Sequence, residues 1–185
     1  MSYLIYNMKL TVRKNLQKGF TLIELLVVIA VLGVLAAVVA VAIDPGEQLA
    51  RGRDSSRKNS LGQVVNAMQS YYTSMGATYP VTGSWMSTLT TAGELKSYPP
   101  AVSYTTAGII CTANASNGYC YYQSGTDAVV YVRLESKAEK NKCVQAGFGS
   151  STLPFFLWNS IDGKAGTFCN SVEPTGVATG TLVTP

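Results

Sequence analysis

Residues 18–43, KGFTLIELLVVIAVLGVLAAVVAVAI, decide how the chain is built. From Phe20 to Ile43 the side chains are those of a membrane span, and none between Leu25 and Ile43 is polar. At about 1.5 Å per residue, a helix over this run reaches roughly 36 Å, more than a hydrocarbon core of about 30 Å. A cleaved secretory signal has a shorter apolar region followed by a small-residue site, and this run has neither feature. Ile43-Asp44-Pro45-Gly46 interrupts the pattern. Pro45 has no N–H to donate and Gly46 loosens the next turn, so a bend or local melting is expected there.

Glu24 is the anomaly. A carboxylate well inside a bilayer costs about 2.5–3.5 kcal/mol or more. One reading lets it snorkel to the interface on its long side chain. The other requires a cation at the same depth. A cut between Gly19 and Phe20 would create an α-amine four residues from Glu24. A second copy, displaced along the helix axis, would bring that amine to the carboxylate. The flanks set the orientation. Lys9, Arg13, Lys14 and Lys18 precede the run with no acid, and residues 44–58 carry four basic and three acidic side chains. The Lys and Arg count ties, but Lys14 and Lys18 lie nearest the membrane, so the N-terminus is expected on the cytoplasmic side.

The stretch KGFTLIELLVVIAVLGVLAAV resembles the processing site and N-terminal helix of type IV pilins and of the pseudopilins of type II secretion. The resemblance implies that a prepilin peptidase cuts after Gly19, that Phe20 becomes the N-methylated terminus, and that Glu24 is the assembly carboxylate. It also implies an α+β fold: a long N-terminal helix, membrane-spanning in its first half and amphipathic in its second, packed on a small antiparallel sheet. The implied partners are further copies of the chain in a helical filament, the peptidase, a pilus assembly platform protein and inner-membrane lipid. The expected localisation is a single-pass precursor in the cytoplasmic membrane, then a surface or periplasmic filament. The organisation follows: a basic leader over 1–19, the assembly helix over 20–43, its amphipathic continuation over 44–76, and a β-rich head over 77–185. Alternatives are a secretion pseudopilin and an anchored binding protein that never polymerises.

In residues 47–76, Leu61, Val64, Val65, Met68, Tyr71, Tyr72 and Met75 recur at spacings of three and four, which draws one apolar stripe. Glu47 with Arg51, and Asp54 with Lys58, are spaced as i,i+4 ion pairs. The cluster RGRDSSRK reads as a solvated helix face, with a nucleic-acid patch as the alternative. Gly76 is the expected helix stop, and MGATYP at 75–80 resembles the Gly…Tyr-Pro segment that follows the long helix in pseudopilins. Further on, YCYYQSG and AVVYVRLES read as strands. In the second, Val130, Val132 and Leu134 alternate with Tyr131, Arg133 and Glu135, which predicts one buried and one wet face. LPFFLWNSIDGKAGTFC predicts a hairpin turning at Asp162-Gly163. The tail PTGVATGTLVTP is short of large side chains and is expected to be loosely held.

The four cysteines allow three pairings. Cys111–Cys120 is favoured as a local clip and Cys143–Cys169 as the staple of the C-terminal region, with a four-cysteine zinc site as the rival. No metal or other cofactor is expected. Histidine is absent, which removes the commonest general base and the His-activated nucleophile pairs. Asp127, Glu135 and Glu139 offer carboxylates for a tethered enzyme, but at no acid–base spacing, so an enzyme is not expected. Asn114-Ala115-Ser116 matches a glycosylation sequon. Nine of the eleven tyrosines lie between Tyr71 and Tyr131; core packing is expected of them, with sugar or surface binding as the alternative. The formal charge of +4 sits wholly in the leader, since residues 20–185 hold ten basic and ten acidic side chains. Without the leader no basic field is expected to recruit nucleic acid or acidic lipid.

Overall fold

The structure is a computed structural model and describes residues 19–104, 115–174 and 176. The chain divides between Asp44 and Pro45 into two compact units. The first is helix α1, Leu22–Ile43. Asp44 caps its C-terminus in the left-handed conformation, φ 45°. Pro45 then opens α2, Pro45–Ser74, at the first helical position, where a missing N–H costs nothing. The expected interruption at 43–46 is therefore a helix end followed by a helix start.

In the second unit, α2 lies against a five-stranded antiparallel sheet. Its strands are β1 (Ala115–Ser116), β2 (Tyr119–Ser124), β3 (Asp127–Arg133), β4 (Leu153–Asn159) and β5 (Lys164–Asn170). Their order in the sheet is their order in the chain. The α+β class read from the sequence is the one observed. Two short helices were not legible as such: α3, Trp85–Thr91, after a 3-10 turn at Thr82–Ser84, and α4, Lys137–Gln145, in the β3–β4 connection.

The apolar stripe of α2 accounts for this packing. Leu61, Val64, Val65 and Met68 are buried with Trp85, Met86 and Leu89 of α3, with Tyr119 and Tyr121 of β2, with Ala128, Val130 and Val132 of β3, and with Trp158 of β4. The stripe fades at its end, where Met75 is exposed. There Gly76 (φ 67°) takes the left-handed turn, and the N–H of Ala77 donates back to the carbonyl of Tyr72 at 2.9 Å. That bond closes the helix as a glycine cap does.

The predicted wet face of β3 is corrected. Tyr131, like Val129, is buried, in a second cluster with Cys120, Phe155, Leu157 and Phe168 on the opposite side of the sheet. β3 is the central strand and both of its faces carry core, so the alternation separates two apolar clusters rather than core from water. Arg133 and Glu135, at its end, are partly exposed. The tyrosines mostly pack as expected: Tyr119, Tyr121 and Tyr131 are buried, and Tyr71, Tyr79 and Tyr104 flank the main cluster.

Turn chemistry fixes the register. Ser124 pairs with Asp127 across a two-residue loop whose Gly125 has φ 62°. Asn159 pairs with Lys164 across a loop that ends at Gly163, also φ 62°, so the hairpin turns at Asp162-Gly163 as predicted. Asn117-Gly118, between β1 and β2, has both residues at positive φ (51° and 82°). That is the primed turn an Asn-Gly pair favours, and the dipeptide was an overlooked signal.

Cys143 on α4 is bonded to Cys169 on β5, 26 residues apart in sequence and 5.5 Å between Cα atoms. A bridge closing a loop of this size stabilises by about 3–4 kcal/mol on the chain-entropy estimate. The double variant Cys143→Ser/Cys169→Ser should therefore melt roughly 10 °C lower than wild type in circular dichroism. An unchanged melting temperature would show that α4 is held by its polar contacts alone.

Candidate functional site

Gly19 and Phe20 precede α1 outside any helix or strand, and Phe20 is exposed. Thr21 is the N-cap of the helix. Its Oγ1 accepts from the Glu24 N–H at 3.3 Å. Glu24 answers: its Oε2 accepts from the Thr21 N–H at 3.4 Å and from the Thr21 hydroxyl at 3.2 Å. This is a capping box, which meets two amide donors that the helix leaves without partners, and it puts the carboxylate at the positive end of the helix dipole. Glu24 thus has a local partner in the first turn of its own helix. The signal was Thr-Leu-Ile-Glu itself, the T-x-x-E pattern before an apolar run.

No residue of α1 is buried. Its 22 residues are long and apolar enough to cross a membrane. An apolar surface of this extent requires lipid or other protein around it.

The second concentration of polar groups joins α2 to the start of α4. Ser136, Glu139 and the backbone between them form the helix N-terminus, with Ser136 Oγ accepting from the Glu139 N–H at 3.3 Å. The amides just before this turn and within it are met from α2. Asp54 accepts from the N–H groups of Glu135 (3.0 Å) and Ser136 (2.9 Å). Glu47 accepts from those of Lys137 (2.8 Å) and Ala138 (3.1 Å). Glu47 and Asp54 are two helical turns apart, so one face of α2 offers both. Arg57, buried, bonds Asp54 at 3.1 Å and Glu135 at 3.2 Å, donates to the carbonyls of Arg133 and Ser103, and lies over the ring of Tyr104.

Two expectations are corrected here. Glu47 and Arg51 do pair, at 2.8 Å, but Asp54 pairs with Arg57, and Lys58 reaches Glu139 at 2.7 Å. RGRDSSRK is not a wholly solvated face, because Asp54 and Arg57 are buried. The helix N-terminus of α4 draws the carboxylate inward, and Arg57 neutralises it there. The Ser-x-x-Glu spacing of Ser136 and Glu139 was the legible signal for α4.

The three carboxylates weighed for catalysis have structural partners. Glu135 pairs with Arg53 and Arg57. Glu139 is held by Lys58, by Lys142 at 3.0 Å and by the Thr167 hydroxyl at 3.1 Å. Asp127 stands elsewhere, beside the Ser160 hydroxyl. Burial alone would raise the carboxyls of Glu139 and Glu135, but the hydrogen bonds from their cations outweigh it and leave both below the usual value. Glu47 is lowered by its bond from Arg51 and by the amide of Lys137.

Carboxyls held low in the folded state contribute stability that is complete above the unfolded value of about 4.5 and lost as pH falls through the lowered folded values. Melting temperature should be flat from pH 7 down to about 5 and then decline. Glu139→Gln should lower the plateau and shallow the acid decline, as read in a series of thermal melts.

Cys143 and Cys169 are bonded to each other, and Cys120 is also disulfide-bonded. Their sulfurs are not available as thiolates for zinc. The proposed Cys111–Cys120 clip involves Cys111, which lies outside the described residues, as do Asn114 of the sequon, the basic leader before Gly19 and nearly all of the C-terminal tail. Among the described residues, no group of three or more His, Cys, Asp or Glu side chains is placed to hold a metal ion.

The family described as "Prokaryotic N-terminal methylation motif" matches residues 14–40, a span that includes Gly19, Phe20 and Glu24. Over these residues the chain is similar to proteins that carry that motif. It is also similar to the fimbrial protein EcpC of Eikenella corrodens, at 43% identity over 63 residues. That similarity covers 34% of this chain and 40% of the relative, so the match spans less than half of either protein. No solved structure matches the chain.

Proposed function

We propose that the chain is the precursor of a type IV pilus-like filament subunit, cut after Gly19, N-methylated at Phe20 and polymerised through α1. The observation that carries this reading is a helix apolar on every side, with no buried residue, whose polar groups are confined to the capping box at its start. Such a helix is soluble in lipid as a monomer and can equally form the dry core of a fibre. The methylation-motif match over residues 14–40 and the similarity to a fimbrial protein support it. In this scheme a prepilin peptidase removes the leader, the N-terminus starts on the cytoplasmic side, and a platform protein of the inner membrane passes subunits from lipid to filament. The chain acts as a structural protein rather than an enzyme.

Processing is tested by mass spectrometry of the accumulated protein, which should begin at an N-methylated Phe20. Gly19→Ala should be cut slowly, and a bulky residue at position 19 should block cutting. Recovery of an intact leader from cells with an active peptidase would overturn the reading.

Glu24 has two separable tasks. Its capping box satisfies the monomer; in the filament it also meets the terminal amine of a neighbouring Phe20. Glu24→Gln keeps the capping geometry, since glutamine serves at this position, but removes the charge. Glu24→Ala removes both. Membrane insertion and cutting should survive in each variant, because the span and cleavage site are unchanged. Filament yield in a shear fraction should fail or drop strongly in both, because leaving one half of a buried ion pair costs about 3–5 kcal/mol. Wild-type filament yield from the Gln variant would assign Glu24 to capping alone.

A further inference from the structure

Charge neutrality over residues 20–185 conceals a separation. Residues 45–58 and 133–142, which the carboxylate–amide contacts bring together, hold eight of the ten cations and four carboxylates. The rest of the second unit holds two cations, Lys96 and Lys164, against four carboxylates. Side-chain direction sharpens the difference. Glu47, Asp54 and Glu139 are buried against backbone amides or in the α4–β5 contact. Arg57 is buried as well, but other cations face out: Arg51 is 53% exposed, Arg53 49% and Lys142 40%, and Lys140 is exposed. Between α2 and α4 lies a cleft of about 270 Å³, lined by Arg51, Lys58 and Lys142, by Ser55, and by the carboxylates of Asp54 and Glu139. Arg51, Lys58 and Lys142 are each paired with a carboxylate there, but eight cations against four carboxylates leave this end of the head with a surplus of positive charge.

We propose that this cationic end of the head docks on the headgroups of anionic phospholipid in the membrane that α1 spans, and so parks the unassembled subunit. The inference rests on α1 being a span. It runs against the expectation that no basic field remains without the leader, because a sum of charges is blind to their placement. Lipid is favoured over a second copy by connectivity. The patch begins at Arg51, six residues after Pro45, and Pro45 follows the apolar helix by a single residue. A span that ends there leaves the start of α2 in the headgroup layer, and the tether keeps the patch at high effective concentration over the surface. Clusters of Lys and Arg beside a span are attracted to anionic lipid within about one Debye length, roughly 8 Å at physiological salt. Lys96 and Lys164 lie toward the other end of α2. Ser74 bonds Glu94 there, and Tyr72 stacks on Tyr79, which meets Trp158 near the β4–β5 turn. They serve as internal controls, since both are exposed.

The test uses the full chain in vesicles of phosphatidylcholine, alone or with about a third phosphatidylglycerol, treated with a membrane-impermeant amine reagent and mapped by mass spectrometry. Acylation of Lys140 and Lys142 should fall about threefold or more in the anionic vesicles and recover at about 1 M salt. Lys96 and Lys164 should react equally throughout. Lys140→Glu should melt as wild type yet relieve the protection of Lys142. Equal reactivity of Lys140 in both vesicles would overturn the proposal, as would a fall at all four lysines together. Protection in phosphatidylcholine alone that grows with protein density would reassign the face to contacts between copies. Failure of the chain to float with either vesicle would remove the span and this proposal together, whereas flotation without protection would remove only the docking.

Discussion

Backbone amides at a helix N-terminus have no partner inside the helix, and α4 begins where α2 keeps water out. Much of the head depends on how that demand is met. Asp54 and Glu47 take the N–H groups of four consecutive residues, 135 to 138, so the β3–β4 connection has one place to lie. The far side of α4 is then set by Glu139 against Thr167 and by the Cys143–Cys169 bridge. Buried carboxylates of this kind are tolerated only when each is hydrogen-bonded and neutralised. Arg57 supplies the neutralising charge for Asp54 from one turn further along the same helix.

The two units solve opposite solvent problems by similar means. In α1 the only ionisable side chain folds back on the first turn, where Thr21 and the helix amides receive it. In the head, carboxylates on one helix cap another. In both cases an acidic group meets the positive end of a helix, and the apolar surface beyond is left to find its own cover. For the head that cover is the sheet and α3. In α1 no residue is buried.

Hydrophobic period made the broad plan legible. The unbroken run marked α1, the three-four stripe marked the buried face of α2, and strand alternation with Asp162-Gly163 marked the last hairpin. What escaped had a different physical origin. The wet side assigned to β3 failed because a single strand cannot report whether its second face meets water or a further apolar layer. The Asp54–Lys58 pair failed because spacing along one helix competes with amides 81 residues away. Short α3 and α4 carry too few turns for a periodic signal, although Ser136-x-x-Glu139 announced the second. At the N-terminus, the Thr-x-x-Glu spacing held the capping role of Glu24, but the cost of a charge in hydrocarbon drew attention away from it.

The plain meander of the sheet bears on how the head can form. Every hydrogen-bonded neighbour in it is also the next strand in sequence, and three of the four links are turns of only a few residues. Each strand can therefore pair with the one before it as soon as it is available, without waiting for a segment from the far end of the chain. Local pairings of this kind close at small entropic cost and form early. A head fed through a membrane from its N-terminal side would meet α2 first, then a sheet that grows one edge at a time upon it.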